Sequence, residues 1–337
     1  MILEELASTI DAIAVPGKGI LAADESTGTI AKRFNSINVE STEENRQRYR
    51  EMLFTAPDLQ DYVNGVILFE ETLGQSTKDG KPFAELLSSK GIVPGIKVDK
   101  GLIALAGSED EKVTEGLDGL SARLETYKSQ GARFAKWRNV YTISDVLPSL
   151  TAVKAGAENL ARYAAICQSI GIVPIVEPEV LIDGDHSIDY CAEVTEIVLH
   201  ELFHALFVHQ VMLESMILKP SMVIAGKDCK EQSTPEQVAE YTISVFRNNV
   251  PAAVPTINFL SGGQTPEQAA ENLNAINSFE KQPWNLSFSY GRALQEPALK
   301  AWSGDDANIQ AAQEALLKRC RLNSAASVGE YSPQMEK

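Results

Sequence analysis

The apolar residues of this chain gather in eight short runs of strand length, and each run is followed by helix-compatible sequence. The runs are GILAAD (19–24), GVILFE (65–70), VPGIKVD (93–99), RFAKWR (133–138), IVPIVEPE (172–179), MILKPSMV (216–223), VPTINFL (254–260) and NLSFSYGRAL (285–294). Short apolar runs that alternate with helical segments are typical of buried parallel strands. The pattern predicts a repeated strand–helix architecture.

Two helix starts are marked with particular clarity. TPEQ occurs at 234–237 and again at 265–268, with Thr as N-cap, Pro at the first helical position and Gln two residues after the Pro. This is a capping box with a proline lead-in. Eight strand–helix units favour a closed (β/α)8 TIM barrel over an open sheet. The long stretch 25–64 predicts extra helices near the N-terminus.

The domain organisation follows from the absence of a low-complexity linker. We predict one α/β domain, a (β/α)8 barrel over 1–322, followed by a short mobile C-terminal tail over 323–337, NSAASVGEYSPQMEK. Small and polar residues at a chain end are typical of mobile segments.

Composition narrows the classes of partner. The 337 residues carry 30 basic and 46 acidic side chains, a net charge of −16, which disfavours nucleic acid and anionic membranes. No apolar run reaches the roughly 18 residues of a membrane span. The four cysteines lack C-x-x-C spacing and indicate free thiols. We expect a cytoplasmic protein without signal or transit peptide, although a plastid protein lacking its transit peptide would have the same features.

Charged residues cluster where the predicted strands end, which is where barrel enzymes build their active sites. Lys136 and Arg138 are two apart and face one side of their strand, as do Glu177 and Glu179. A structural ion-pair layer is the alternative interpretation. The strand-end residues are Asp24, Glu70, Lys97, Lys136, Arg138, Glu177, Glu179, Lys219 and Arg292.

Lys219 lies inside an apolar strand and directly before a proline. A lysine amine is nucleophilic only when neutral, and its free pKa of about 10.4 opposes this. An apolar strand end and a nearby Lys136 would lower that pKa. The neutral amine would form a Schiff base with a carbonyl substrate, with Glu177 and Glu179 as proton carriers.

A phosphate site is predicted after the last two strands. SGGQ at 261–264 offers backbone N–H groups and a hydroxyl, and Ser289, Gly291 and Arg292 end the eighth strand. Loops after strands seven and eight are the usual phosphate site of barrels.

HELFH at 200–204 matches the H-E-x-x-H zinc pattern. The extended zinc-protease form is not met, since Phe207 and His209 occupy wrong offsets. The surrounding segment fits a barrel helix with Leu199 and Leu202 facing the core. Zinc peptidase is kept only as an alternative function, and no metal is assigned.

Together these motifs resemble class I fructose-bisphosphate aldolase, the Schiff-base, metal-independent kind. The likeness runs in order from about residue 15 to about residue 322, through GILAADEST, ILFEETL, VPGIKVDKG, GARFAKWR, VPIVEPE, LKPSMV, FLSGGQ and SFSYGRALQ. It implies a carbon–carbon lyase that reversibly cleaves fructose 1,6-bisphosphate to dihydroxyacetone phosphate and glyceraldehyde 3-phosphate, in glycolysis, gluconeogenesis or the Calvin cycle. It also implies no cofactor, sugar phosphates as ligands and a homotetramer.

The resemblance assigns roles to residues of this chain. Lys219 is implied as the Schiff-base lysine and Glu177 as the principal acid/base, with Asp24, Lys136 and Glu179 as catalytic support. Ser261, Gly262, Gly263, Ser289, Gly291 and Arg292 would hold the ketone-side phosphate. The residues implied near the far phosphate are Ser26, Thr29, Arg33, Lys97 and Arg138.

The tail departs from the family pattern. Relatives continue to a C-terminal tyrosine used in proton transfer, whereas this chain ends at Lys337 and has Tyr331 as the only tail tyrosine. We predict that Tyr331 is not catalytic.

Two further functions stay open at this point. Another Schiff-base barrel enzyme, transaldolase-like or acting on one phosphate, fits the lysine, but two separate cationic groups favour a bisphosphate. A non-catalytic scaffold is disfavoured by the joint presence of Lys219, Glu177 and Lys136.

Overall fold

A computed structural model describes residues 2–337 and contains a closed barrel of eight parallel strands. Each predicted apolar run supplies one barrel strand, so the predicted (β/α)8 fold is confirmed. The strands are β1 (Gly19–Ala23), β2 (Val63–Leu68), β3 (Val93–Lys97), β4 (Gly101–Ala104), β5 (Lys112–Glu115), β6 (Phe134–Tyr141), β7 (Val173–Val180), β8 (Ile217–Leu218), β9 (Thr256–Phe259) and β10 (Asn285–Tyr290). Around the barrel the order is β1-β10-β9-β8-β7-β6-β3-β2.

The helices pack outside the barrel and at its N-terminal end. They are α1 (Ile2–Ile13), α2 (Thr27–Asn35), α3 (Glu43–Phe54), α4 (Glu70–Leu73), α5 (Phe83–Ser89), α6 (Leu120–Ser129), α7 (Leu150–Ile170), α8 (Ile188–Val208), α9 (Pro235–Asn249), α10 (Pro266–Phe279), α11 (Arg292–Trp302) and α12 (Ile309–Ala326). Helices α2 and α3 are the extra helices predicted in the 25–64 connection. Both predicted capping boxes form, at Thr234 with Gln237 and at Thr265 with Gln268.

One feature that the sequence pattern did not predict is an antiparallel hairpin of β4 and β5. It follows β3 and lies outside the barrel sheet. Its two strands are only four residues each, and β4 is partly exposed. The sequence therefore has no long apolar run from which these strands could be predicted.

The barrel interior is filled by apolar side chains and closed from below by α1. Leu6, Ile10 and Ile13 of this helix pack in one cluster with Ile20 and Phe134 of the strands. Glycine makes room for the aromatic ring, since a Cβ at Gly95 would lie 2.1 Å from a Phe134 ring atom. The cleft can therefore open only at the other end, where the strands finish.

The last helix continues four residues past the predicted boundary at 322, to Ala326. Asn323 is buried there and donates its side-chain N–H to the Arg319 carbonyl at 2.9 Å. Beyond the helix, Tyr331 is buried and its hydroxyl donates to Glu336 Oε1 at 3.1 Å. Glu336 in turn accepts hydrogen bonds from Arg319. The division into a barrel domain and a mobile tail stays a prediction.

No helix among residues 2–337 is long and apolar enough to span a membrane.

Candidate active site

A cleft of about 530 Å³ lies at the end of the barrel where the strands finish. Every residue for which the sequence predicted a site role lines this one cleft. These residues are Asp24, Ser26, Thr29, Arg33, Lys97, Lys136, Arg138, Glu177, Glu179, Lys219, Ser261, Gly262, Gly263, Ser289, Gly291 and Arg292. The parallel strands bring them together because their carboxyl ends share one edge of the barrel.

Lys219 is the first residue after the short strand β8. Its backbone N–H donates to the Val176 carbonyl at 2.8 Å, which fixes its position beside β7. Pro220 follows and has no N–H to extend the ladder, so the strand ends here. The Lys219 side chain is buried, and its Nζ lies 3.2 Å from Glu177 Oε1.

Lys136 links two carboxylates in the same buried region. Its Nζ lies 2.8 Å from Asp24 Oδ2 and 3.3 Å from Glu177 Oε2, and its side chain is 6 % exposed. Glu177 therefore lies between two lysines, with one oxygen near each. Two acids and two lysines alternate along this line, so the buried charges compensate one another.

These contacts set the ionisation of the acids. Burial alone would raise the pKa of Asp24 and of Glu177, but Lys136 and Lys219 outweigh it and hold both below their ordinary values. The pKa of Lys136 is raised, because Asp24 and Glu177 outweigh its burial. Burial also raises the pKa of Glu179, although Arg138 Nη1 donates to it at 2.8 Å. Glu177 is thus held as an anion, whereas Glu179 keeps a proton more readily.

The loop after β9 has the backbone of an anion site. Gly262 and Gly263 both have positive φ, +33° and +85°. A Cβ at Gly263 would lie 2.6 Å from the Ile182 side chain, so a larger residue would have to displace Ile182 and adopt a strained backbone. Left-handed backbone in such a loop turns successive N–H groups toward one concavity.

The end of β10 completes that side of the cleft. Ser289 Oγ is buried and has no hydrogen-bond partner among the described residues, which suits a hydroxyl that awaits a ligand. Arg292 begins α11, whose N-terminus attracts anions, and its Nη2 donates to the Gln264 carbonyl at 3.3 Å. The two segments that the sequence predicted to bind phosphate therefore meet at one place.

A second cationic group also lines the cleft, beyond the ends of β1 and β3. Ser26 Oγ and Thr29 Oγ1 lie 3.1 Å apart at the start of α2. Lys97 Nζ donates to Asp99 Oδ1 at 2.6 Å and to the Asp99 carbonyl at 2.8 Å. Arg33 donates to Glu25.

Sequence reasoning missed two buried acids in this cleft, Glu25 and Asp99. Each adjoins a predicted site residue along the chain, Glu25 after Asp24 and Asp99 two after Lys97. Asp99 ends the apolar run 93–99 and is two residues from Lys97, so continuing the alternation of that run would have identified it, although β3 itself ends at Lys97. Glu25 gave no such signal, because it lies just outside the apolar run 19–24.

The HELFH segment lies on α8, away from the cleft. His200 and His204 are exposed, and the neighbouring His209 Nε2 lies 2.9 Å from Glu158 Oε1. Residues 2–337 contain no group of three or more His, Cys, Asp or Glu placed to hold a metal ion. The segment is an outer barrel helix, as its apolar spacing predicted.

Comparison with known proteins adds an independent finding. A family model described as class-I fructose-bisphosphate aldolase matches residues 5–337. A probable fructose-bisphosphate aldolase class 1 of Xanthomonas campestris pv. campestris is 55% identical over 332 residues, which is 98% of this chain and 99% of the relative. A cytosolic fructose-bisphosphate aldolase 5 of Arabidopsis thaliana is 56% identical over 98% of this chain and 92% of its own length.

The fold has a solved counterpart as well. A fructose-bisphosphate aldolase of Plasmodium falciparum, determined in complex with TRAP and a small-molecule inhibitor, superposes with a TM-score of 0.97. It is 49% identical in sequence, and the match covers 98% of this chain and 96% of that one.

Proposed function

Because the chain belongs to the class-I fructose-bisphosphate aldolase family, we propose that Lys219 carries out its covalent chemistry. The reaction is the reversible cleavage of fructose 1,6-bisphosphate to dihydroxyacetone phosphate and glyceraldehyde 3-phosphate through a lysine Schiff base. Three buried or half-buried lysines line the cleft: Lys97, Lys136 and Lys219. Lys136 is held as an ammonium by two carboxylates, and Lys97 is bound by Asp99. Lys219, with a single carboxylate at 3.2 Å, is the amine left for reaction.

The position of Glu177 is the observation on which the mechanism rests. Its Oε1 accepts the proton that the Lys219 ammonium loses before the amine adds to the substrate C2 carbonyl. One proton then moves from the nitrogen to the carbonyl oxygen, giving a neutral carbinolamine. Glu177 then returns its proton to that hydroxyl, water leaves, and an iminium on Lys219 Nζ remains.

Carbon–carbon cleavage uses the same groups. The C4 hydroxyl gives its proton to the Glu177 carboxylate, the C3–C4 bond breaks, and its electron pair moves into the iminium to form an enamine. Glyceraldehyde 3-phosphate leaves. The enamine takes that proton from Glu177 at C3, and water hydrolyses the resulting iminium. Asp24, Lys136 and Glu179 support these steps around the substrate hydroxyls, with Lys136 as a fixed cation.

Each of the two groups of polar residues in the cleft binds one phosphate of the substrate. The glycine loop after β9 and the segment at the end of β10 hold the ketone-side phosphate by backbone N–H groups, hydroxyls and one guanidinium. The far phosphate is held by Ser26, Thr29, Arg33, Lys97 and Arg138. A bisphosphate substrate therefore spans the cleft with its carbonyl near Lys219.

Borohydride trapping tests the assignment of the lysine. The enzyme is incubated with dihydroxyacetone phosphate and sodium borohydride, and the modified peptide is identified by mass spectrometry. For the unmodified chain we expect the reduced adduct on Lys219. For Lys219→Arg we expect no adduct, and a cleavage rate lower by several orders of magnitude. An adduct on Lys136 or Lys97 of the unmodified chain would refute the assignment.

The same family premise supports a homotetramer located in the cytoplasm. On α8, Phe207 is 81% exposed, with Ile197 and Val208 also largely exposed, an apolar surface that a second copy would cover. The Arabidopsis relative is named as cytosolic. Light scattering of the purified chain would give four times the mass of one chain if the tetramer forms.

A further inference from the structure

Glu25 is a buried carboxylate shared between two arginines. It directly follows Asp24 where β1 ends. Its Oε1 accepts from Arg33 Nη1 and, at 2.9 Å, from Gln295 Nε2. Its Oε2 lies 2.6 Å from Arg50 Nη1. Each carboxylate oxygen therefore faces one guanidinium group.

Arg50 is the inner of the two arginines. It lies on α3, its side chain is 3% exposed, and it does not line the cleft. Its guanidinium lies 5.8 Å from the ring centre of Tyr49. The Tyr49 hydroxyl donates to Gln295 Oε1 at 3.2 Å, and Gln295 holds Glu25. Arg50, Tyr49 and Gln295 thus fix the Glu25 carboxylate from behind.

Arg33 is the outer arginine. It lies on α2, its side chain is 24% exposed, and it lines the cleft. One nitrogen, Nη1, donates to Glu25. The other, Nη2, lies 3.8 Å from the position that a Cβ on Gly291 would occupy, in the loop after β10. Arg33 therefore presents a second nitrogen to the cleft while the first is tethered.

We propose that Arg50 is a positioning residue for the far phosphate of the substrate, and that it acts on Arg33 through Glu25. Arg50 forms an ion pair with Glu25 Oε2 and so restricts Glu25 to a one-nitrogen contact with Arg33. Guanidinium and carboxylate prefer a two-nitrogen, two-oxygen pairing. If Oε2 were free, Glu25 would take both Arg33 nitrogens and withdraw Nη2 from the cleft. Arg50 thereby favours bisphosphate over monophosphate, an inference that rests on the proposed role of Arg33.

The test compares fructose 1,6-bisphosphate with fructose 1-phosphate, which lacks the far phosphate. For Arg50→Met we expect kcat/KM for the bisphosphate to fall about tenfold, chiefly through KM, and that for the monophosphate to change by less than about twofold. Arg50→Lys, which keeps a cation at Oε2, should restore most of the ratio. If Arg50→Met does not fold, Arg50→Gln replaces it, because glutamine keeps a hydrogen-bond donor toward Glu25. Arg50→Gln should lower the ratio of kcat/KM for the bisphosphate to kcat/KM for the monophosphate by at least about threefold.

Two further variants separate the possible failures. Arg48→Met on the same helix removes an arginine that pairs with the exposed Asp306 and should leave both substrates unchanged. Arg33→Ala should lower the bisphosphate preference by itself, and adding Arg50→Met should lower it no further. If Arg33→Ala leaves the preference unchanged, the proposed role of Arg33 is wrong. If Arg33→Ala lowers it but the Arg50 variants affect both substrates equally, or neither, the inference about Arg50 is wrong.

Discussion

Replacing Lys136 by methionine would remove the cation that two buried carboxylates share. Lys136 Nζ lies 2.8 Å from Asp24 and 3.3 Å from Glu177. Methionine keeps most of the side-chain volume, so the main loss is the charge. Breaking a buried ion pair by removing one partner costs about 3–5 kcal/mol, because the other charge stays buried without compensation. We expect the free energy of unfolding to fall by about this amount at pH 8, together with most of the turnover.

The loss should depend on pH, and its sign follows from the carboxylates. In the parent protein the pKa values of Asp24 and Glu177 are lowered, so both stabilise the fold above their unfolded pKa values of about 4. That stability is lost only as the pH falls through the folded values. Without Lys136, burial dominates and raises the pKa of at least one carboxylate. A carboxylate whose pKa is raised in the folded state destabilises the fold at high pH. This destabilisation decreases as the pH falls and the carboxylate takes up a proton. The difference between parent and variant should be largest at pH 8 and smaller at pH 5.

Thermal melting between pH 5 and pH 8 measures this difference. For a chain of this size about 1 kcal/mol corresponds to roughly 2 °C in Tm, so the variant should melt about 6–10 °C lower at pH 8. Lys300→Met is the control, since Lys300 is 67% exposed and forms a surface ion pair with Glu296. Its Tm should stay within about 1 °C of the parent. An equal decrease at pH 5 and pH 8 for Lys136→Met would show that packing, and not charge, explains the loss.

Three further outcomes follow from the site and its surroundings. Arg292→Ala should weaken use of fructose 1,6-bisphosphate by about ten- to a hundredfold in steady-state kinetics, since a charge-assisted phosphate contact contributes roughly 1.5–3 kcal/mol; unchanged kinetics would contradict its phosphate role. Prolonged EDTA treatment and His204→Ala should both leave turnover near normal, because His204 is exposed on α8; activity that EDTA removes and zinc restores would revive a metal-dependent mechanism. Tyr331→Phe should retain proton exchange on dihydroxyacetone phosphate, because Tyr331 packs against Glu336 and does not line the cleft; loss of exchange with imine formation intact would place this tyrosine in the reaction.

The barrel was predictable from sequence because its strands are buried and appear as eight mainly apolar runs of strand length, each followed by helix-compatible sequence. The charged residues at their ends could be placed for the same reason, since parallel strands share one carboxyl edge. Their partners could not be predicted. That Glu177 lies between Lys136 and Lys219 depends on the stagger of neighbouring strands, with Arg138 opposite Glu177 in the register of β6 and β7. Strand alternation fixes a face and leaves the height along the barrel undetermined.

Elements outside the barrel were harder to predict. The β4–β5 hairpin is short and partly exposed, so its residues carry little apolar signal. Helix α12 runs past residue 322 to Ala326, although Asn and Ser favour helix ends in isolation. Tertiary contacts override that preference: Asn323 bonds to the Arg319 carbonyl, and Ser324 Oγ donates to the Gly17 carbonyl.

Helix α1, which closes the barrel at its N-terminal end, also determines the order in which substrates bind and products leave. Leu6, Ile10 and Ile13 pack against Phe134 and close one end of the barrel, so the cleft has a single opening at the other end. In the proposed mechanism the three-carbon fragment is attached to Lys219, whose side chain is only 5% exposed, so we expect the aldehyde to depart first. In the direction of synthesis the order reverses: the ketone must enter and become attached before the aldehyde arrives. An aldehyde that enters an empty cleft early blocks the only route to the lysine, and high aldehyde concentrations should therefore inhibit condensation.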